Sequence, residues 1–349
     1  MSALTSFLGS CTWLAVKDLA PLKIDVFPHI FPMPVFQRIG QLKPAFVHGP
    51  IVEGRPALYD LDARFRMMDR YDNYVQVLTL AAPPIEDFAE GQAAIDLAEL
   101  ANDSMAELCR AYPDRFLGFA ASVSLHDVDS GVREADRAVR QLGALGVQIF
   151  TNVRGQPMDA PRFEPLYARM AELDKLVWIH PTRTEDHPDY VTESKSKYGL
   201  FFKFGWPYET TVCISRLIFS GIVERYPRLR FLTHHAGGII PHLAGRLGLR
   251  QDSPNQRKGI GVDDRFTPEY TVQLYKRFYG DSVFSGAHGP LQCAIEFYGL
   301  DHILFGTDMP FGGEAGELFV RETVADIEQL PPAQQQALFE TNARKLLRI

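Results

Sequence analysis

A basic excess is missing from this chain: its 349 residues carry 36 Lys and Arg against 43 Asp and Glu, a formal charge of −7. Nucleic acids and anionic membranes bind surfaces of the opposite balance, so neither is expected as a partner and a small molecule is. Cysteine is scarce too. Cys11, Cys109, Cys213 and Cys293 are scattered without a CxxC pairing, which argues against a zinc knuckle or a disulfide framework and fits reduced thiols in a cytoplasm. No apolar run approaches the roughly 18 residues of a membrane span, and MSALTSFLGSCTWLAVKDLA has no basic stretch before its apolar one. The sequence therefore reads as soluble. Residues 1–22 form a short N-terminal extension, and the absence of linkers, low-complexity tracts and long repeats leaves residues 23–349 as one domain.

What is present is an alternation of short β-rich runs with longer helical patterns, the signature of βαβ units around a parallel sheet. Eight strands are expected, at Lys23–Val26, Val75–Leu80, Phe116–Val123, Gly146–Phe150, Leu176–His180, Arg230–His234, Phe278–Tyr279 and His302–Gly306. Helical spacing marks Ile95–Ala111 and Val132–Leu142, and RAYPDRF and ERYPRLRF place a proline between a helix end and the next strand. Eight such units predict an α/β fold, a (β/α)8 TIM barrel. Its rhythm is broken by long loops after strands one and five, Arg38–Leu61 and Thr182–Trp206, on the face where barrels build active sites.

Polar residues of ligand type follow directly on four apolar strands. KIDVFPH ends at His29, LVWIHP contains His180, LRFLTHHAGG contains His234 and His235, and HILFGTDMPF contains Asp308. Alone, each reads as a cap or a hydrogen-bonded histidine. Independent caps have no reason to place histidines and a carboxylate on strands one, five and eight, whereas a divalent metal at the barrel mouth needs convergent nitrogen and oxygen donors. Period-two alternation puts His234 on the opposite side of its strand, as a structural histidine.

The segments KIDVFPHIFP, VWIHP, THHAGGIIPHLAGRL and HILFGTDMPFGG resemble the motifs of one branch of the amidohydrolase superfamily. That branch contains aminocarboxymuconate-semialdehyde decarboxylase and γ-resorcylate decarboxylase. GWPYETTVCISRLIFSGI and the terminal FETNARKLLRI extend the likeness over nearly the whole chain from Lys23. The resemblance implies His29, His180 and Asp308 as metal ligands and His235, by its HAGG spacing, as the catalytic histidine of strand six. It also implies a homodimer. Where the family has His or Glu two residues before His29, this chain has Phe27, which binds no metal. Asp25 lies on the same face and is expected either to orient a ligand, to act as a replacement donor, or to be a buried carboxylate of the barrel floor. Zinc is the first metal expected for such donors, and manganese tolerates the same set.

The resemblance implies nonoxidative decarboxylation of an aromatic, heteroaromatic or conjugated acid, with Asp308 as proton donor or shuttle and His235 steering the proton. The same residues allow a hydrolase or hydratase using metal-bound water, and Phe27 leaves open a metal-free binding protein. Phe27, Phe201, Phe202, Trp206 and Phe311 lie at the expected mouth and suit a planar substrate. Arg55 and Arg183, one in each long loop, are candidates to clamp its carboxylate.

Overall fold

The computed structural model describes residues 20–247, 256, 259, 261–313 and 316–349; of the expected N-terminal extension, residues 1–19 with Cys11 lie outside them. Eight strands follow in chain order: β1 (Lys23–Asp25), β2 (Tyr74–Leu80), β3 (Phe116–Ser122), β4 (Gly146–Phe150), β5 (Leu176–His180), β6 (Arg230–Thr233), β7 (Tyr279–Asp281) and β8 (Ile303–Leu304). Each pairs parallel with the next, giving a nearly closed barrel of eight strands. The seam between first and last is held by backbone bonds from Val26 N to Phe305 O (3.0 Å), Asp308 N to Phe27 O (3.2 Å) and His29 N to Met309 O (2.6 Å). Beyond β1 the chain pairs again with β2 at His29–Ile30, where His29 stands opposite Thr79.

The strands are buried on both faces, as parallel strands under a helical layer must be. Ile24, Val26, Val75, Val77, Ala120, Leu176, Trp178, Leu232 and Leu304 fill the interior. Trp178 is the largest of these, and its indole Nε1 donates across the barrel to Val26 O at 3.0 Å. Room for that ring comes from Gly146, where a Cβ would stand 2.0 Å from Leu176 O and 2.7 Å from the indole.

Helices α1 (Met33–Leu42), α2 (Gly91–Ala111), α3 (Val128–Gln141) and α4 (Gly205–Phe219) lie among those that cover the sheet. The expected pattern Ile95–Ala111 falls inside α2 and Val132–Leu142 runs one residue past the end of α3, and Asp127 caps α3 by accepting from Asp129 N and Ser130 N. The long segment after β1 is more ordered than a loop, since α1 precedes two short helical turns, Pro44–Val47 and Pro56–Leu58. β1, β2 and β3 differ from expectation by one residue at one end, and the last three strands differ where it bears on the site. β6 stops at Thr233, β8 shortens to Ile303–Leu304, and β7 runs on to Asp281. Among the described residues no helix is long and apolar enough to cross a membrane.

Replacing Gly146 with Ala should lower the thermal midpoint, because overpacking a filled interior costs about 1–3 kcal/mol and backbone atoms are what the methyl meets. An unchanged midpoint for Gly146→Ala in a thermal melt would contradict this packing.

Candidate metal centre

The site is built on the seam. Asp25 is fully buried and accepts four hydrogen bonds: from Phe27 N, Thr307 N, the Thr307 hydroxyl and the Tyr74 hydroxyl. Both oxygens are consumed, so Asp25 is not a metal donor but the carboxylate on which the ends of β1 and β8 are hung. Burial pushes its carboxyl up to about 6 against the pull of those bonds. Arg64, also buried, donates to Gln76 Oε1 (2.8 Å), Ala57 O (3.1 Å) and His29 O (2.9 Å), and so fixes the main chain of His29 from below.

Three imidazoles are oriented by the same device. Thr79 spends its only hydroxyl proton on Pro28 O at 2.7 Å, so His29 Nδ1, 2.9 Å away, must be the donor to Thr79 Oγ1. His180 Nδ1 donates to Pro181 O at 2.7 Å, and His234 Nδ1 donates to the buried carboxylate of Asp281. Each ring therefore carries its proton on Nδ1 and turns Nε2 inward. His29 Nε2 lies 3.1 Å and His234 Nε2 3.5 Å from Asp308 Oδ1, and no protein donor satisfies either nitrogen. Lone pairs facing a carboxylate at such distances call for positive charge between them.

The titration pattern has the same cause. Burial lowers His29 against the pull of Asp308, and it lowers His180 well below the usual imidazole range with His234 and His29 adding to the effect. Burial lowers His234 as well, but Asp281 and Asp308 outweigh it and raise His234 to about 9. Burial raises Asp308, yet His234 and His29 hold it well below the usual carboxylate range. A proton and a cation thus compete for His234 Nε2.

His234 corrects an expectation. Alternation holds only while the strand lasts, and β6 ends at Thr233; His235 (φ 54°, ψ 41°) and Ala236 (φ 46°, ψ 40°) are left-handed. Consecutive histidines therefore reach the same space, with ring centroids 3.9 Å apart. The turn is possible because Gly237 and Gly238 follow it; a Cβ on them would lie 2.3 Å from the Tyr298 hydroxyl and 2.2 Å from Pro207 O. His235 keeps a buried, unpartnered Nδ1, and burial pushes this ring down to about 3.

Of the expected pocket residues, Phe27 is buried and stacks on His234 at 4.4 Å. Phe311 lies 5.8 Å from the His29 ring and Trp206 5.5 Å from the His180 ring. Arg55 sits 5.5 Å over Phe311; its Nη1 donates to Pro50 O and Ile51 O, and its Nε is buried without a partner. Arg183 is paired with Glu209 at 2.8 Å, which occupies the charge expected for a substrate. Phe201 and Phe202 pack on each other, and Phe202 stands 6.3 Å from Trp206. Sequence reasoning missed Asp281, Thr79 and Arg64. Asp281 had a signal, because it too is a polar residue at a strand end, hidden by placing the end of β7 at Tyr279.

The donor set fits a divalent cation. Donor atoms of His29, His180 and His234 lie within 4.8 Å of one another, as do those of His234, His235 and Asp308. Once a cation displaces the proton of His234, three imidazoles and an ionised carboxylate form a mixed nitrogen and oxygen set, each histidine with an outer partner that fixes its ring.

A family model described as Amidohydrolase matches residues 24–349. The 2-amino-3-carboxymuconate-6-semialdehyde decarboxylase of Dictyostelium discoideum is 28% identical over 290 residues, covering 83% of this chain and 77% of that protein. The γ-resorcylate decarboxylase of Rhodococcus jostii is 29% identical over 306 residues, covering 82% and 87%. A solved 5-carboxyvanillate decarboxylase from Novosphingobium aromaticivorans, holding manganese and 3-methoxy-4-hydroxy-5-nitrobenzoic acid, shares the fold with a TM-score of 0.81. It is 23% identical and covers 94% of this chain and 97% of that one.

In chelator-treated protein, the folded-state proton on His234 stabilises the fold fully below the ordinary imidazole value of 6.5 and is lost as pH rises through about 9. Stability should fall across that window by on the order of 3 kcal/mol. His234→Gln should flatten the dependence in denaturation curves taken from pH 6 to 10, and an equally steep fall in that variant would refute the assignment.

Proposed function

Because the chain belongs to the amidohydrolase family, we propose that it is a metal-dependent nonoxidative decarboxylase of an aromatic, heteroaromatic or conjugated carboxylic acid. The observation that carries this reading is the convergence of inward-facing imidazole nitrogens on the Asp308 carboxylate, beside the rings of Phe27, Phe311 and Trp206. The names of the Dictyostelium and Rhodococcus relatives support it, both being decarboxylases of unsaturated or aromatic acids.

In this reading His29, His180 and Asp308 would hold the metal, which would supply Lewis-acid chemistry to a bound acid. Zinc and manganese both suit these donors, and manganese is the ion in the Novosphingobium structure. The aromatic rings at the mouth exclude water and hold a planar acid. Arg55, whose Nε has no partner, is the group we assign to receive its carboxylate. Decarboxylation is difficult because a carbanion is left when CO2 departs, and a proton placed on that carbon first provides the electron sink. Asp308 is ionised at rest, so it acts as a shuttle: it takes the proton of a substrate hydroxyl and returns it to the carbon that bears the carboxylate. His235, neutral at rest, steers that transfer.

We further read the protein as cytoplasmic, in keeping with free thiols at Cys109, Cys213 and Cys293. A homodimer is part of the proposal, and Tyr190, Tyr198, Phe204 and Tyr208, exposed on and just beyond the segment after β5, offer it a surface.

Reaction in heavy water should release CO2 and leave one deuterium at the carbon that lost it, with hydroxylated benzoates, heteroaromatic acids and muconate-type semialdehydes as the first substrates tried. Asp308→Asn should lower turnover by about 10²–10⁴-fold, since an amide does not cycle between acid and base; metal content measured alongside separates this from loss of a ligand. Uptake of labelled water oxygen without CO2 would overturn the decarboxylase in favour of a hydrolase or hydratase.

A further inference from the structure

The mechanism above leaves His234 without a task, although its buried ring is fixed from behind by the Asp281 carboxylate. We propose that His234 is a fourth metal donor and that His235 alone of the pair handles the proton, an assignment that rests on the metal-dependent reading.

Ligands of a single ion at about 2.1 Å stand roughly 3.0–3.5 Å from one another. His29 Nε2 and His234 Nε2 lie 3.1 and 3.5 Å from Asp308 Oδ1, so both distances already have the spacing of ligands around one centre. The ring of His234 is not free to present its other nitrogen. Asp281 accepts from its Nδ1 and is itself fixed by Ala236 N (3.1 Å) and Val283 N (3.2 Å). A carboxylate behind an imidazole is the arrangement that orients a metal ligand and raises its basicity.

His235 has none of this. Its Nδ1 meets no acceptor, and no carboxylate fixes its tautomer. A ring that steers a proton to and from Asp308 gains from that freedom, whereas a ligand loses by it.

Phe27 explains why a fourth donor comes from β6. It precedes His29 by two residues, and its ring lies 6.2 Å from the His29 ring, 6.5 Å from the His180 ring and stacked at 25° on His234. Strand one thus presents a wall where a second donor would stand, and that wall presses on the histidine that replaces it.

The test uses the full chain, stripped by chelator and reloaded with Co²⁺ alone, and reads affinity by chelator competition and coordination by the visible absorption of the ion. His234→Asn and His180→Asn should each weaken Co²⁺ binding by about 10–100-fold or more and change the spectrum. His235→Asn should hold Co²⁺ within a few-fold of wild type while turnover falls by about 10²–10⁴-fold. Phe27→His added to His234→Asn should restore binding. If His234→Asn does not fold, Asp281→Asn keeps the ligand but frees its ring, and a loss of about tenfold is expected. The proposal is overturned if His234→Asn binds Co²⁺ with wild-type affinity and spectrum, or if His235→Asn loses the ion. Wild-type protein that takes up no Co²⁺ would instead overturn the metal-dependent reading itself.

Discussion

Asp25 is the side chain on which the two halves of the site depend. Its four accepted bonds join the end of β1 to Thr307, and His29 and Asp308, whose separation defines the centre, stand on either side of that junction. A buried carboxylate is costly to ionise, and only a full set of donors makes it tolerable. Arg64 brings the balancing charge into the same buried layer, linked to Asp25 through Gln76 and Tyr74. The apolar interior at Ile24, Val26, Val75 and Val77 is thus backed, on the alternate positions of the same two strands, by a polar network. Asp308 can be held in a left-handed conformation (φ 62°) because its neighbours are fixed on both sides.

The parts of this that the sequence made legible are local. His29, His180 and Asp308 each follow a run of apolar β-formers, so strand period and strand end could be read together, and Phe27 stood out by its place two residues before His29. The barrel followed from counting such runs. A two-residue β8 and a β7 that begins in the aromatic stretch RFYGD carry little pattern, and those ends were misplaced. The cost was Asp281, whose role follows once the strand is extended to it.

Other features were illegible for a physical reason. Which face His234 takes depends on where the ladder stops, and the glycine turn beyond it is packed against Tyr298 and Pro207, far away in sequence. Arg64 and Thr79 act on His29 through a carbonyl and a hydroxyl, contacts that no periodicity encodes. The pairing of Arg183 with Glu209 bridges the segment after β5 and α4, so an arginine that reads as a clamp is neutralised by a residue 26 positions on.

The left-handed turn after β6 bears on how this chain tolerates change over evolutionary time. Thr233, His234, His235 and the glycine pair act as a ruler: the ladder ends, two rings turn inward, and the chain leaves through positions with no room for a side chain. Substituting one residue in that ruler removes one group. Inserting or deleting one residue moves every group to the wrong place at once, while leaving composition and motif letters almost intact. Length between Phe231 and Gly237, more than the identity of any residue within it, is the quantity that descent must conserve if the chemistry is to survive.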